Sequence, residues 1–297
     1  MAIARPEDTA LGDAPTVARA GGTCSLAGLR YVAVRVVDLD RDMSDVIPTG
    51  TTPDSEFLFG KMTEVTLTLA RAGPGRRILD VASGVGQDAI AMAGLGAQVV
   101  GAEPSQRMTG MARLFASERQ GPMPSWVRGW ADRLPFATGS FHATVCKGSI
   151  DHFDRPDHAV AEMARVTARD GRVVLAIANF ESLACRLARA LDVFQSGARR
   201  GHTTRGRRGY DAPSDHFTRY ELDLMREQAG RHLELEEVVG VSLGWGAPFW
   251  SKAVDRLPSP VASGVLQVLD RVAGRVPSWA DVIILAGRPR RSESTSA

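Results

Sequence analysis

The chain has 297 residues, 44% hydrophobic and 24% charged, with 36 Lys and Arg against 34 Asp and Glu. This is an ordinary globular composition, and a net charge of +2 gives no general pull toward nucleic acid or a membrane surface. No apolar run reaches the ~18 residues of a membrane span and no secretory h-region opens the chain, so we expect a cytoplasmic protein. The three cysteines (Cys24, Cys146, Cys185) are odd in number and widely spaced, with Cys146 in a predicted buried strand, which reads as reduced thiols. No CxxC or His-x-x-x-His cluster points to a metal.

In chain order, residues 1–50 read as an N-terminal tail, rich in Ala, Gly, Pro and Thr to about 25. An extended segment over Leu29–Leu39 follows, either a strand or a cover for the active site. Thr52-Pro53 is a cap residue followed by a first-turn proline, so a helix is expected from there to about Ala72, ended by Gly73-Pro74-Gly75. Residues 78–82 then form a hydrophobic strand with an acid, Asp80, in its middle. It runs into the glycine turn Ser83-Gly84-Val85-Gly86, a helix over Gln87–Gly94, and a strand over 97–101 that closes on Glu103. Such a βαβ unit is laid out for a nucleoside: glycines admit backbone N–H groups to a ligand, and an acid after the second strand can take both ribose hydroxyls.

Further strands over 125–129, 141–147 and 172–178 alternate with helices, which implies an α/β fold with a doubly wound, mainly parallel sheet. An insertion, 181–215, holds an apolar helix (Leu183–Phe194) and then Arg199, Arg200, Arg205, Arg207 and Arg208 with His202. That basic run suits a solvated loop, an anion clamp or an RNA contact. Thr218-Arg219-Tyr220-Glu221 reads as a capping box opening a helix to Ala229, followed by strands at Leu233–Val241 and Asp281–Ala286. Between these strands a second insertion, 242–278, repeats Val265, Val268, Leu269 and Val272 at helical spacing, read as a cap helix packing on the body. Trp245, Phe249 and Trp250 at its start suit either a substrate wall or plain packing. Residues 289–297 read as a disordered tail.

Gly84-x-Gly86-x-x-Ala89 with Glu103 nineteen residues on also satisfies the loose dinucleotide fingerprint, but Asp80 opposes it, since a carboxylate there would repel a pyrophosphate. A carboxylate suits a ligand with a cationic end. Here the chain resembles the class I S-adenosylmethionine-dependent methyltransferase family, whose first motif is hydrophobic-Leu-Asp-x-x-x-Gly-x-Gly. Gly129–Phe136 resembles the family's adenine segment, Ser140–Cys146 its fourth strand, Ile150–Phe153 the following turn, and Ala161–Arg165 with Arg169–Leu175 the next helix and strand. The likeness is dense over about 55–180 and resumes at 216–288. It implies a seven-stranded Rossmann-like methyltransferase sheet, with strand seven antiparallel between five and six and a helical cap from the insertions. The S-adenosylmethionine-binding core is then 51–180, and 216–288 completes it.

By the same resemblance, the cofactor would be held by Asp80, Ala82, Ser83, Gly84, Gly86, Glu103, Pro104, Met108, Trp130, Ala131, Asp132, Lys147 and Gly148. Two departures stand out. Ala82 occupies a place where the family usually has a third glycine, and Trp130 stands where it commonly has Asp. Trp130 then either meets the adenine, with Asp132 reaching in, or plugs the sheet edge while Asp132 is solvated. Lys147 and Gly148 would flank the methionyl part through backbone groups, with the lysine's charge solvated. His152, after the fourth strand, is the candidate general base, against a purely structural histidine; Asp151, Tyr210 and His216 are weaker candidates. The expected activity is methyl transfer to oxygen or carbon of a small, fairly apolar biosynthetic metabolite, by a monomer or homodimer without nucleic acid or membrane partners. The alternatives are a cyclase, lyase or isomerase that keeps S-adenosylmethionine intact, and an RNA methyltransferase using the arginine run. A nicotinamide dehydrogenase is the weakest reading.

Overall fold

A computed structural model describes residues 52–198 and 217–290, with the side chains of 193–198 excepted. Helix α1 (Pro53–Leu69) starts after Thr52 with proline in its first turn and Asp54 and Glu56 beside it, a favourable placement for acids at a helix N-terminus. The order continues β1 (Arg77–Val81), α2 (Gln87–Gly94), β2 (Gln98–Ala102), α3 (Gln106–Ser117), β3 (Ser125–Val127), β4 (Phe141–Lys147), α4 (Pro156–Val166) and β5 (Thr167–Ala178). Then follow α5 (Leu183–Ala198), α6 (Leu222–His232), β6 (Leu233–Val241), α7 (Trp250–Asp255), α8 (Ser259–Arg275) and β7 (Val282–Pro289).

The seven strands lie in the order β3-β2-β1-β4-β5-β7-β6. Neighbours from β3 to β5 pair in parallel, and β7 pairs antiparallel with both β5 and β6. Successive strand residues face opposite sides, and both sides are covered. On one face Leu79, Val81, Val173, Leu175 and Leu285 pack with Val160 and Met163 of α4 and Met225 of α6. On the other, Ile78, Val99, Val145, Val174 and Ile284 pack with Leu58 and Met62 of α1 and Ala89 and Met92 of α2. The doubly wound sheet with its antiparallel seventh strand is therefore as the sequence led us to expect. Chain order reverses between β1 and β4, and the crevice at their carboxyl ends is where open α/β sheets bind ligands.

Several local expectations are corrected. The Thr218–Glu221 capping box does not form. Instead α6 starts at Leu222, Glu221 makes no side-chain cap, and the N–H groups of Phe217 and Thr218 donate to the Asp151 carbonyl. Tyr220, inside the supposed box, is fully buried, so tertiary packing overrides the local signal. Strand β3 is only three residues long, and β5 starts earlier, at Thr167, through a register shift opposite Phe141/Ala143. The stripe of α8 that packs inward is Ala262, Leu266, Leu269, Val272 and Ala273; Val268 is 54% exposed. That helix sits tight on β6, because a Cβ at Gly240 would meet the Ala273 carbonyl oxygen at 2.4 Å. The 1–50 segment with Leu29–Leu39, the arginine run 199–208, Tyr210, His216 and residues 291–297 of the tail lie outside the described residues. Among the described residues no helix is long and apolar enough to cross a membrane.

Candidate functional site

The loop leaving β1 takes a succession of left-handed backbone angles: Ala82 at φ +54, Gly84 at +52 and Gly86 at +78. Its turn closes by Gly86 N–H donating to the Ser83 carbonyl at 2.8 Å, and the Ser83 N–H reaches the Ala102 carbonyl of β2 at 3.2 Å. The two glycines serve different purposes. A Cβ on Gly84 would meet nothing within 4 Å, so open space lies above that residue; a Cβ on Gly86 would lie 2.2 Å from Cη2 of Trp126. The same indole covers Gly101 of β2, where a Cβ would fall 2.5 Å from Cε3. Trp126, to which the sequence reading gave no role, thus seals one side of the glycine loop. The only sequence signal for it is the pair of missing side chains that make its room.

Three carboxylates gather beneath the loop. Glu103 is buried, and its two oxygens accept N–H bonds from Gly84 and Ser105, each at 2.9 Å. Burial pushes its pKa above the ordinary value, and these N–H groups partly offset the rise. Asp80 is also buried, with its Oδ2 lacking a hydrogen-bond partner. Its proton affinity is raised strongly, first by burial and next by Asp88; Lys147 and the Ala89 N–H oppose this, and Glu103 adds to it. A buried acid whose neighbouring ammonium is already paired with another carboxylate is costly to ionise unless a further cation arrives. Asp88, in the first turn of α2, was not singled out from the sequence. Its Oδ1 accepts from Lys147 Nζ at 2.6 Å, and the same ammonium donates to Thr63 Oγ1 of α1 at 2.6 Å. The lysine side chain is 14% exposed, which corrects the expectation of a solvated charge.

The remaining predicted residues lie on the segments that follow β2, β3 and β4. Ser105 caps α3 by accepting the Met108 N–H at 3.1 Å, which brings Pro104 and buried Met108 beside Glu103. Trp130, Ala131 and Asp132 lie beyond the short β3, in a turn where the Arg133 N–H donates to the Trp130 carbonyl. Gly148 turns at φ +67 and donates to the Ala176 carbonyl, ending β4. His152 closes a single 3-10 turn, Ile150–His152, directly after it. Its Nε2 lies 3.9 Å from Oδ1 of buried Asp151, an ion pair only when the imidazole is protonated. Among the described residues, no group of three or more His, Cys, Asp or Glu is placed to hold a metal.

The aromatic cluster of the second insertion divides. Trp245 packs edge-on to Phe59 of α1 and donates to Ser55 Oγ at 3.3 Å, while Trp250, like Phe57, packs against the cluster of Val254, Ala262 and Leu266. Phe249 is 82% exposed. Asp281, just ahead of β7, accepts N–H bonds from Trp245 at 2.9 Å and Gly244 at 3.3 Å, tying this insertion to the carboxyl edge of the sheet.

Residues 79–175 match the family described as Methyltransferase domain. Among curated proteins, the uncharacterized methyltransferase YcgJ of Bacillus subtilis is 30% identical over 119 residues, 40% of this chain and 47% of that protein. The demethylmenaquinone methyltransferase of Beutenbergia cavernae is 38% identical over 111 residues, 37% of this chain and 44% of that protein. The chain thus spans a little under half the length of these curated relatives. Two solved structures share its fold. That of YcgJ aligns at TM-score 0.50 and 18% identity over 78% of this chain and 99% of that one. That of the [4+2]-cyclase SpnF aligns at 0.51 and 18% over 78% and 81%. The glycine bend over a buried acid, the acid closing β2 and the antiparallel seventh strand thus accompany a match of residues 79–175 to the methyltransferase-domain family.

Proposed function

We propose that the protein transfers a methyl group from S-adenosylmethionine to oxygen or carbon of a small, fairly apolar metabolite. The observation that carries this reading is the unpartnered Oδ2 of Asp80, buried beneath a bend whose Gly84 has open space above it. The residues fit the cofactor. Asp80 would take the ammonium of the methionyl part, Glu103 the ribose hydroxyls through the remaining lone pairs of its oxygens, and the Gly84–Gly86 backbone the space between. Pro104, Met108 and the Trp130–Asp132 turn would flank the base, and Lys147 and Gly148 the methionyl end. When bound, the cofactor supplies a methyl group on a cationic sulfur with a good leaving group. The protein's own share is then alignment and exclusion of water, for which orientation can supply up to ~7–11 kcal/mol. His152, at the end of β4 with Asp151 ready to stabilise its protonated form, would accept the acceptor's proton where it has one, a contribution of about 10²–10⁴ in rate.

The small-molecule branch is supported by the quinone-pathway name of the relative from Beutenbergia cavernae and by the near-neutral net charge. We further propose action in the cytoplasm as a monomer or homodimer without nucleic acid, with 51–180 and 216–288 forming the cofactor core. A second reading follows from the shared fold of the [4+2]-cyclase SpnF: the cofactor is held and the acceptor rearranged without methyl transfer. Calorimetric titration with S-adenosylmethionine and S-adenosylhomocysteine, followed by incubation with methyl-labelled cofactor and a panel of phenols, quinols and enolisable ketones, separates the two. Labelled product with S-adenosylhomocysteine supports the transferase. Conversion of an acceptor without label favours the cyclase, and no binding of either nucleoside removes both.

A further inference from the structure

Lys147 is placed unusually for a charged residue. Asp80 of β1 stands opposite Val145 of β4 in register, so Lys147, two residues further along, projects from the same face one step nearer the loop. Its ammonium is fixed there by Asp88 of α2 and Thr63 of α1, each at 2.6 Å, in a region where Lys147 and Asp88 side chains are 14% and 11% exposed. Three elements therefore converge on one buried cation beside the acid that would receive the ligand's ammonium. The charged groups that act on Asp80 are Asp88 from α2, Glu103 just after β2 and Lys147 from β4; Asp80 in turn acts on the Cys146 thiol, and Thr63 of α1 holds the lysine.

We propose that Lys147, tethered by Asp88 and Thr63, is a positioning residue that sets the charge of Asp80, so that ligand binding is coupled to release of a proton from that carboxyl. This rests on the functional reading above, with Asp80 as the ammonium's partner. The physical basis is a contest inside one low-dielectric pocket. Burial and two neighbouring carboxylates favour the protonated acid, while the ammonium of Lys147 and the Ala89 N–H favour the carboxylate. An arriving ammonium completes the counter-charge, and the proton leaves to solvent; no bond other than O–H is broken. Asp88 has a double part: it holds Lys147 in place, and its own charge opposes ionisation of Asp80.

The opposite signs of these two neighbours supply the test. The affinity of S-adenosylhomocysteine is measured by calorimetry from pH 5 to 9 for the parent chain, Lys147→Ala, Lys147→Arg and Asp88→Asn. Each pH is run in two buffers of different ionisation heat to count protons released. The parent should bind more weakly as pH falls, with release of a proton below the midpoint. Lys147→Ala should move that midpoint to higher pH, and on the acid side binding should weaken about tenfold for every pH step of one by which the midpoint moves, with recovery at high pH. Lys147→Arg should restore it, and Asp88→Asn should move it to lower pH. Circular dichroism and thermal melts identify any variant that fails to fold, in which case the arginine and asparagine variants carry the result. Equal, pH-independent weakening in Lys147→Ala and Asp88→Asn overturns the coupling and leaves a structural clamp. A parent chain that binds the nucleoside at no pH overturns the functional reading itself, and the coupling with it.

Discussion

At the bend after β1, Ala82 holds φ +54, a conformation that costs an L residue roughly 1–2 kcal/mol. Replacement by glycine removes that strain, while the freer unfolded chain takes back about 0.4–1 kcal/mol. Ala82→Gly is therefore expected to leave unfolding free energy unchanged or raise it by up to ~1.6 kcal/mol in urea titrations; a clear loss would mean that the methyl group is packed. Gly84 and Gly86 should respond unequally to alanine. Both carry the left-handed penalty, but only at Gly86 does the new Cβ collide with Trp126. The Gly86→Ala variant should be less stable than Gly84→Ala by about 1–3 kcal/mol, the usual cost of overpacking. Glu103→Gln should weaken nucleoside binding by ~1.5–3 kcal/mol, or about ten- to a hundredfold, as a charge-assisted hydrogen bond is lost. Asp80, Glu103 and the glycines were legible in the sequence because their chemistry is unusual for the places they occupy. Trp126, Thr63 and Asp88 were not, because a tryptophan, a helix threonine and a first-turn acid are each locally ordinary and acquire meaning only from partners 25 or more positions away.

Among elements, the strands and helices that bury a continuous face were readable, whereas their ends were decided by tertiary partners. The residues of the Thr218–Glu221 box were recruited instead, through backbone N–H groups, to the Asp151 carbonyl and, through Tyr220, to the core. The docking of α8 on β6 was unreadable for a similar reason: nothing near Gly240 announces that the Ala273 carbonyl will lie against it. Gly240→Ala should prise that contact apart, costing about 1–3 kcal/mol by denaturant titration. The tie between the second insertion and the sheet carries a pH signature. Burial raises the pKa of Asp281 to about 7, with Asp54 contributing. The folded chain thus keeps a proton that the unfolded chain gives up near its ordinary value of about 3.9. The stability from this group is full below about pH 4 and is lost as pH rises toward 7. Between pH 5 and 8 the parent chain should lose more stability than Asp281→Asn does, read from urea midpoints at the two pH values; parallel slopes would assign the titration elsewhere.

For the molecule as a whole, alternation of strand and helix disclosed the parallel part of the sheet, while the position of β7 came only through family resemblance, since an antiparallel inserted strand has no local mark. If the nucleoside binds the folded chain alone, S-adenosylhomocysteine at about a hundred times its dissociation constant should add ~2.7 kcal/mol to unfolding free energy, with a melting temperature that climbs with concentration. A flat response would place the ligand elsewhere or nowhere. The inserted strand also orders events in time. Ala178 of β5 meets Val282 of β7, and Val241 of β6 meets that same residue, so β6 reaches the sheet only through a segment translated after it. While a nascent chain still lacks 282–289, the flank of β5 stands open and β6 has no ladder to join. Such distant pairings are slow to form, so ribosome-bound lengths that stop short of β7 should be the stage at which chaperones engage this protein most strongly.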